Sequence, residues 1–333
     1  MEISTVATSI EHPSDTGEAR RRARAVASQF QFGGEVAARL ALIVTEAATN
    51  IVKHAKRGEI LINHVADEQV IEVLALDQGP GMASVDQCLR DGYSTGGTPG
   101  GGLGAIKRSC GQFEIYSGPG HGTALLARLQ PEPPLGSKPA VFTAGGVCVA
   151  LASEQVCGDG CAIEIHDRRC QVLVSDGLGH GVAAHEASDA AINSFKQHSA
   201  LSPAGRLQRI HDALRHTRGA AAAIAEINLD QALVCFSGVG NIAGTIVTAA
   251  DNRSMISHYG TLGHQVRKFQ EFTYPWSEQG LMVLASDGLG SRWNLSAYPT
   301  LARHHPSLIA GVLYRDFKRG RDDVSIVVTK QGS

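Results

Sequence analysis

Four prolines in the ten residues Gln130-Pro131-Glu132-Pro133-Pro134-Leu135-Gly136-Ser137-Lys138-Pro139 constrain this chain more than any other feature. Each proline fixes φ and lacks an N–H, so the stretch suits neither a helix nor a sheet interior and reads as a semi-rigid connector. The flanking segments are each long enough to close a core of their own. The expected organisation is two domains, 1–130 and 140–333, joined by a linker over 131–139. Charge adds an exclusion. With 30 Lys and Arg against 32 Asp and Glu the net charge is −2, which removes the easiest argument for a nucleic-acid partner, a strongly basic balance. Seven scattered cysteines do not make a disulfide framework, although Cys157 and Cys161 flank Asp159 and leave room for redox sensitivity. No signal pattern opens the chain, and the longest apolar stretch, Ala140–Ala152, is broken by Gly145-Gly146 and too short for a bilayer. A cytoplasmic protein is expected.

Periodicity places the elements. In the first part a strand over Ile3–Ile10 precedes a helix capped by Ser14 or Asp15 and running to Phe30. A second helix, Glu35–His54, carries Val36, Leu40, Ile43, Ala47 and Ile51 at helical spacing. Strands are expected over 59–65, 70–76, 113–117 and 123–129, with a short helix over 103–109. The run Arg20-Arg21-Arg22 with Arg24 is a solvated helix face or a docking patch for an acidic partner. The second part reads as strands over 141–153, 161–166, 171–175, 220–228, 232–238, 244–249, 266–274, 281–286 and 324–329. Helices are expected over 182–197, 203–216 and 306–317, the second of them with Ser202 as cap and Pro203 at its first position. The predicted class is α+β in both halves.

Glycine is in excess: 38 residues, about 11% where about 7% is usual. Much of the excess lies in Ser94-Thr95-Gly96-Gly97-Thr98-Pro99-Gly100-Gly101-Gly102-Leu103-Gly104, which leads into a helix. Exposed N–H groups at such a helix start form an anion cradle. Upstream, Glu46 and Asn50 stand at i and i+4 on an otherwise apolar helix, so they project from one face. A polar pair there is costly to bury without partners or function. The apolar strand at 70–76 ends in Asp77-Gln78-Gly79-Pro80-Gly81-Met82, an acceptor beside a tight turn. Any one of these signals has a bland reading as a surface pair, a turn or a loop. Their order resembles the Bergerat ATP-binding fold. Asp91-Gly92-Tyr93-Ser94-Thr95-Gly96-Gly97 followed by Leu103-Gly104-Ala105-Ile106-Lys107-Arg108 is similar to the RsbT-type serine/threonine switch kinases, over residues 1–130. The resemblance implies an α/β sandwich, a mixed sheet covered by helices, that binds ATP with Mg2+. In it Asn50 holds the Mg2+ and Asp77 takes the adenine amino group. Gly79, Gly81, Gly100, Gly102 and Gly104 shape pocket and lid, Thr123 supports the adenine end, and Glu46 acts as general base toward an acceptor hydroxyl. Thr49 departs from the pattern, standing where this group commonly has an arginine.

The second part repeats a pentapeptide. Ser175-Asp176-Gly177-Leu178-Gly179 and Ser286-Asp287-Gly288-Leu289-Gly290 each follow an apolar strand. Arg321-Asp322-Asp323 precedes the last strand, and Gly158-Asp159-Gly160 precedes the strand beginning at Cys161. One Asp-Gly pair is only a turn. Four acids gathered at strand ends without matching cations are unstable unless they bind metal, and oxygen ligands select Mg2+ or Mn2+. With Gly238–Asn241 and Gly260–Gly263 between them, these motifs resemble the SpoIIE/RsbX branch of PP2C-type serine/threonine phosphatases over residues 140–330. The resemblance implies an α-β-β-α sandwich holding two Mn2+ or Mg2+ ions. Asp176 bridges them, the Gly177 carbonyl ligates one, Asp287 and Asp322 complete the other, and Asp159 holds a water. Whether Asp322 or Asp323 is the ligand stays open. His180 is either a proton donor to the leaving oxygen or a structural, solvent-facing loop residue.

Both branches act on STAS-domain partners. The combination implies a bifunctional regulator that phosphorylates a STAS-domain Ser/Thr and removes that phosphate, with a STAS-domain protein as expected partner, either an anti-sigma factor or a downstream regulator as a further one, and no nucleic acid or membrane. A phosphatase whose ATP-binding domain only senses nucleotide is the alternative. A non-enzymatic scaffold that sequesters a regulator is the third reading.

Overall fold

The computed structural model describes residues 1–89, 102–130, 140–249 and 251–332. The expected linker at 131–139, the motif Asp91–Gly97 and the candidate Gly100 lie outside the described residues. The chain divides into two compact units, one of Ser4–Ser137 and the other of Met1–Ile3 with Lys138–Ser333.

The first unit lays helices on one sheet. Strand β1 (Ile3–Ile10) leads into α1 (Asp15–Gln29) and α2 (Gly34–Asn50), and β2 (Gly58–Val65) and β3 (Val70–Asp77) follow. A short α3 (Val85–Cys88) precedes α4 (Gly102–Ser109), β4 (Gln112–Ser117) and β5 (Thr123–Leu129). The sheet order is β1-β2-β3-β5-β4, antiparallel at the three pairings from β2 to β4. Leu40, Ile43, Val44, Ala47 and Ala48 of α2 pack with Ile60, Ile62, Ile71 and Val73 of the sheet. Two expectations change. Ser14 makes no side-chain cap; the Asp15 carboxylate instead accepts the Glu11 and His12 N–H groups at 2.9 and 2.7 Å. The second helix does not run to His54 in one geometry. It is α-helical to Asn50 and π-helical over Ile51–Ala55, ending at Lys56 with φ 70°. Apolar periodicity does not register that change, because Ile51 is buried either way. Wide turns of this kind recur at functional sites.

The second unit is a sandwich. In order it has β6 (Phe142–Val149), β7 (Asp159–His166), β8 (Arg169–Gly177), α5 (Val182–Gln197), α6 (Pro203–Ala213) and β9 (Ala220–Asn228). Next come β10 (Leu233–Val239), β11 (Ala243–Val247), β12 (Asn252–Met255), β13 (Gly260–Thr261), β14 (Gln265–Val266) and β15 (Phe272–Pro275). It closes with β16 (Leu281–Ala285), α7 (Pro306–Phe317) and β17 (Val324–Gln331). Two five-stranded sheets, β15-β10-β9-β8-β7 and β12-β11-β16-β17-β6, share a core of Ile163, Val172, Val174, Ala223, Phe236, Ile246, Leu284 and Val327. Helices α5 and α6 cover the outer face of the first sheet through Ala187, Ala191, Phe195, Leu207 and Ile210, and α7 lies on β6 and β17. The layers are α-β-β-α. The central strands are buried on both faces, and so they read as continuous apolar runs.

Three expectations shift here. The strand foreseen over 266–274 is a β13–β14 hairpin followed by β15, whose Phe272–Pro275 pair with β10. Ser202 caps α6 through its backbone, accepting the Arg206 N–H at 2.9 Å, and not through its side chain. Asp159 opens β7 instead of preceding it, where it stands directly across the ladder from Asp176.

Candidate functional sites

In the first unit α2, the β3 end and the α4 start supply the polar groups. A Cβ placed on Gly102 would stand 2.9 Å from Glu46 Oε2 and 3.6 Å from Asn50 Oδ1. The first turn of α4 is therefore drawn against the Glu46 and Asn50 side chains, as the i, i+4 spacing requires. Asp77 closes β3 and is answered from two sides. Its Oδ1 accepts the Gly79 N–H at 2.8 Å and the Thr123 N–H at 3.2 Å. Gly79 lies so close to the π-turn that a Cβ there would be 2.7 Å from that of Ala55. The Asp-x-Gly turn and the end of α2 thus form one packed unit. Gly81 has φ 72°, open to glycine without strain, and Gly104 is buried in α4. Ser117 was not singled out from sequence, yet it ties this end together. Its Oγ donates to the Gly122 carbonyl at 2.8 Å, accepts the Met82 N–H at 3.0 Å and lies 3.1 Å from Thr123 Oγ1. Thr49 returns its hydroxyl to the Thr45 carbonyl at 2.7 Å.

In the second unit Asp159 and Asp176 share a rung of the β7–β8 ladder. Asp159 is 5% exposed and accepts a hydrogen bond from Ser325 Oγ at 3.0 Å. Burial, with Asp323 and Asp322 nearby, pushes its pKa to about 7. Burial first, then repulsion from Asp159, Asp287, Asp322 and Asp323, pushes Asp176 to about 8. Asp322 is also raised, again chiefly by burial. Like charges in a low-dielectric edge hold protons or take a cation. Asp287 accepts from Asn241 Nδ2 at 2.8 Å, so the Gly238–Asn241 segment contributes a donor whose role the sequence does not spell out. At Gly177 a Cβ would stand 2.1 Å from the Ala184 carbonyl oxygen, so only glycine lets α5 start this close to the β8 end.

Asp322 and Asp323 differ in their hydrogen bonding. Asp323 is 2% exposed and both its oxygens are used: Oδ1 accepts the Leu151 N–H at 2.8 Å and Oδ2 the Gly158 N–H at 3.0 Å. It clamps the two ends of the loop between β6 and β7. Asp322 is less buried and accepts only the backbone N–H of Asp323, at 3.0 Å. Among the described residues Asp322 is thus the less committed of the two carboxylates.

The donor set fits divalent cations. It is all oxygen, it crowds four carboxylates, and among the described residues none of the four pairs with Lys or Arg. Among the described residues no three His, Cys, Asp or Glu side chains already close round a common point. Among the same residues no helix is long and apolar enough to cross a membrane.

Comparison with known proteins follows this division. Residues 11–129 match the family described as histidine kinase-like ATPase domain, and residues 166–331 match stage II sporulation protein E. The serine/threonine-protein kinase RsbT of Bacillus subtilis (strain 168) is 37% identical over 115 residues, 34% of this chain and 86% of that protein. The phosphoserine phosphatase RsbX of the same organism is 25% identical over 137 residues, 41% of this chain and 69% of that protein. A crystal structure of RsbX in complex with magnesium superposes with a TM-score of 0.52 at 21% identity, covering 59% of this chain and 98% of its own; it shares the fold of the second unit. The chain belongs to the histidine kinase-like ATPase family through an RsbT-like first domain, and it carries on the same polypeptide a SpoIIE-type PP2C domain with an RsbX relative.

Proposed function

We propose that this chain is a bifunctional switch regulator: the first domain phosphorylates a Ser or Thr of a STAS-domain protein with ATP, and the second hydrolyses that phosphate. The observation that supports it is the presence of two separately assembled polar sites, Glu46–Asn50–Gly102 with Asp77, and Asp159–Asp176 with Asp287 and Asp322. Domain limits of 1–130 and 140–333 go with this reading.

In the first site the Asp77 carboxylate accepts the adenine amino group while its turn presents Gly79 to the ring. Thr123, steadied by Ser117, lines the same end. The α4 start offers backbone N–H groups to the phosphates. Asn50 Oδ1 would hold Mg2+, which when bound offsets phosphate charge. Glu46 Oε2 takes the proton of the acceptor hydroxyl. In the second site Asp176, the Gly177 carbonyl, Asp287 and Asp322 would hold two Mn2+ or Mg2+ ions, which when bound supply Lewis acidity toward phosphoryl oxygens. Asp159 orients the attacking water, and the Asn241 amide fixes the Asp287 carboxylate. The partner class rests on the RsbT and RsbX relatives.

The test is purified chain with ATP, Mg2+, Mn2+ and candidate STAS proteins. Asn50→Ala should abolish labelling and Asp176→Asn should make the label persist; unaltered turnover in both variants contradicts the assignment. One observation favours a second reading. Thr49, which stands in the place of an arginine common in these kinases, is closed on its own helix. If the first domain only senses nucleotide, ATP binds without phosphotransfer and Glu46→Gln leaves the hydrolytic cycle unchanged.

A further inference from the structure

The loop between β6 and β7 carries an acid that the metal cluster does not use. Asp323 holds Leu151 and Gly158 at the two ends of this loop, and the Glu154 N–H closes a turn on the Leu151 carbonyl at 2.8 Å. Glu154 is thereby set in place by the backbone. Its Oε1 lies 2.6 Å from His180 Nδ1. Its Oε2 occupies the space over Gly181, where φ is 74° and a Cβ would stand only 2.7 Å away. Glycine at 181 therefore meets two demands, a left-handed turn and room for this carboxylate. His180 sits three residues beyond Gly177, and its ring is 59% exposed while Glu154 is 25% exposed. Two charged groups bear on the ring, Glu154 on the β6–β7 loop and Asp322 before β17, whose carboxyl feels the imidazole charge; Arg218 ahead of β9 lies over the preceding Gly179, 3.0 Å from a Cβ built there. Among the described residues Nε2 has no hydrogen-bond partner.

We propose that Glu154 is a positioning residue that makes His180 the proton donor to the leaving oxygen in phosphoester hydrolysis. The proposal rests on the phosphatase reading of the second domain and deepens it. An ionised carboxylate can only accept, so Nδ1 carries the proton shared with Glu154 and the reactive nitrogen is Nε2. Water attacks phosphorus, the P–O bond to the Ser or Thr oxygen breaks, and that oxygen keeps the electron pair and takes the Nε2 proton. The products are inorganic phosphate and the alcohol, and the ring regains its proton from solvent. After donation the neutral ring is the Nδ1–H tautomer, the one Glu154 already holds. No ring flip is required. A carboxylate that orients an imidazole in this way is a general device for proton transfer.

The test uses the full chain with Mn2+ and two small esters that differ in their need for a proton. Phenyl phosphate leaves as a poor phenolate and p-nitrophenyl phosphate as a stabilised one. The ratio of kcat/KM for phenyl over p-nitrophenyl phosphate should fall about 10- to 100-fold in Glu154→Ala. His180→Gln should show the same fall, and the double variant no more than either single. Parallel losses on both esters, as a merely structural loop contact would give, overturn the proposal. So does an unchanged ratio in His180→Gln, which does not depend on how the loop tolerates Glu154→Ala. Wild type inert toward both esters overturns the phosphatase reading itself, and is distinguished from failure of the proposal by that inactivity.

Discussion

The two units solve opposite electrostatic problems with the same residue type. In the first, Asp77 is a single carboxylate answered by two backbone N–H groups. In the second, Asp159 and Asp176 from one sheet meet Asp287 and Asp322 from strand ends of the other, and two of the four are pushed to about 7 and about 8. Asp77 in the first site is met by backbone donors. The second is incomplete in charge and needs cations. Strand-end aspartates followed by glycine therefore do not share a chemistry; what decides it is whether the acid is met by N–H groups or by other acids.

The largest expected effect separates the two sites. Asp176→Asn should lower Mn2+-dependent hydrolysis of p-nitrophenyl phosphate by roughly a hundredfold or more, and ATP affinity should not move. A parallel loss of ATP binding in calorimetry would break the comparison. Asp77→Ala should do the converse. Removing a charged acceptor costs about 1.5–3 kcal/mol, so ATP should bind on the order of 10- to 100-fold more weakly while ester hydrolysis holds.

A finer effect distinguishes neighbouring acids within the second unit. Asp323→Asn keeps one acceptor oxygen but turns an NH2 toward the other backbone N–H, and should destabilise this unit by about 1–3 kcal/mol in denaturant unfolding. Asp322→Asn should leave stability nearly intact and raise the Mn2+ concentration needed for half-maximal activity. Exchanged phenotypes would reverse the ligand and clamp roles.

The smallest effect is pH linkage. Asp159 and Asp176 rise from the usual 3.8 to about 7 and about 8, so between these limits the folded chain binds more protons than the unfolded one. Their contribution is full below the unfolded pKa and is lost as pH rises through the folded values. With EDTA, the melting temperature of the second unit should fall from about pH 6 to about pH 8.5, and saturating Mn2+ should remove that fall. A metal-free melting temperature that rises over this range would contradict the crowding.

Much of this was readable from residues. Apolar runs located β3, β8, β9 and β16 because burial on both faces leaves little room for polar interruptions. The repeated Ser-Asp-Gly-Leu-Gly marked two strand ends, and the i, i+4 pair marked the face that meets Gly102. What was not readable depends on partners distant in sequence. Asp323 and Asp322 are indistinguishable as letters; only the Leu151 and Gly158 N–H groups tell them apart. Ser117 and Glu154 belong to no motif, and Asn241 closes the Gly238–Asn241 segment without a readable role; they become visible when Thr123, His180 and Asp287 are found beside them. The expected strand over 266–274 failed because alternation there served a hairpin and then an edge strand. The π-turn after Asn50 left no mark in the hydrophobic period.

The central claim is that opposed chemistries reside in one chain. It is tested most directly by following label from γ-32P-ATP on a STAS-domain acceptor, with limiting ATP, Mg2+ and Mn2+. Wild type should give label that rises and then decays to inorganic phosphate, Asp176→Asn label that rises and stays, and Asn50→Ala none. Label that decays equally in wild type and Asp176→Asn, or that forms in Asn50→Ala, would contradict the account.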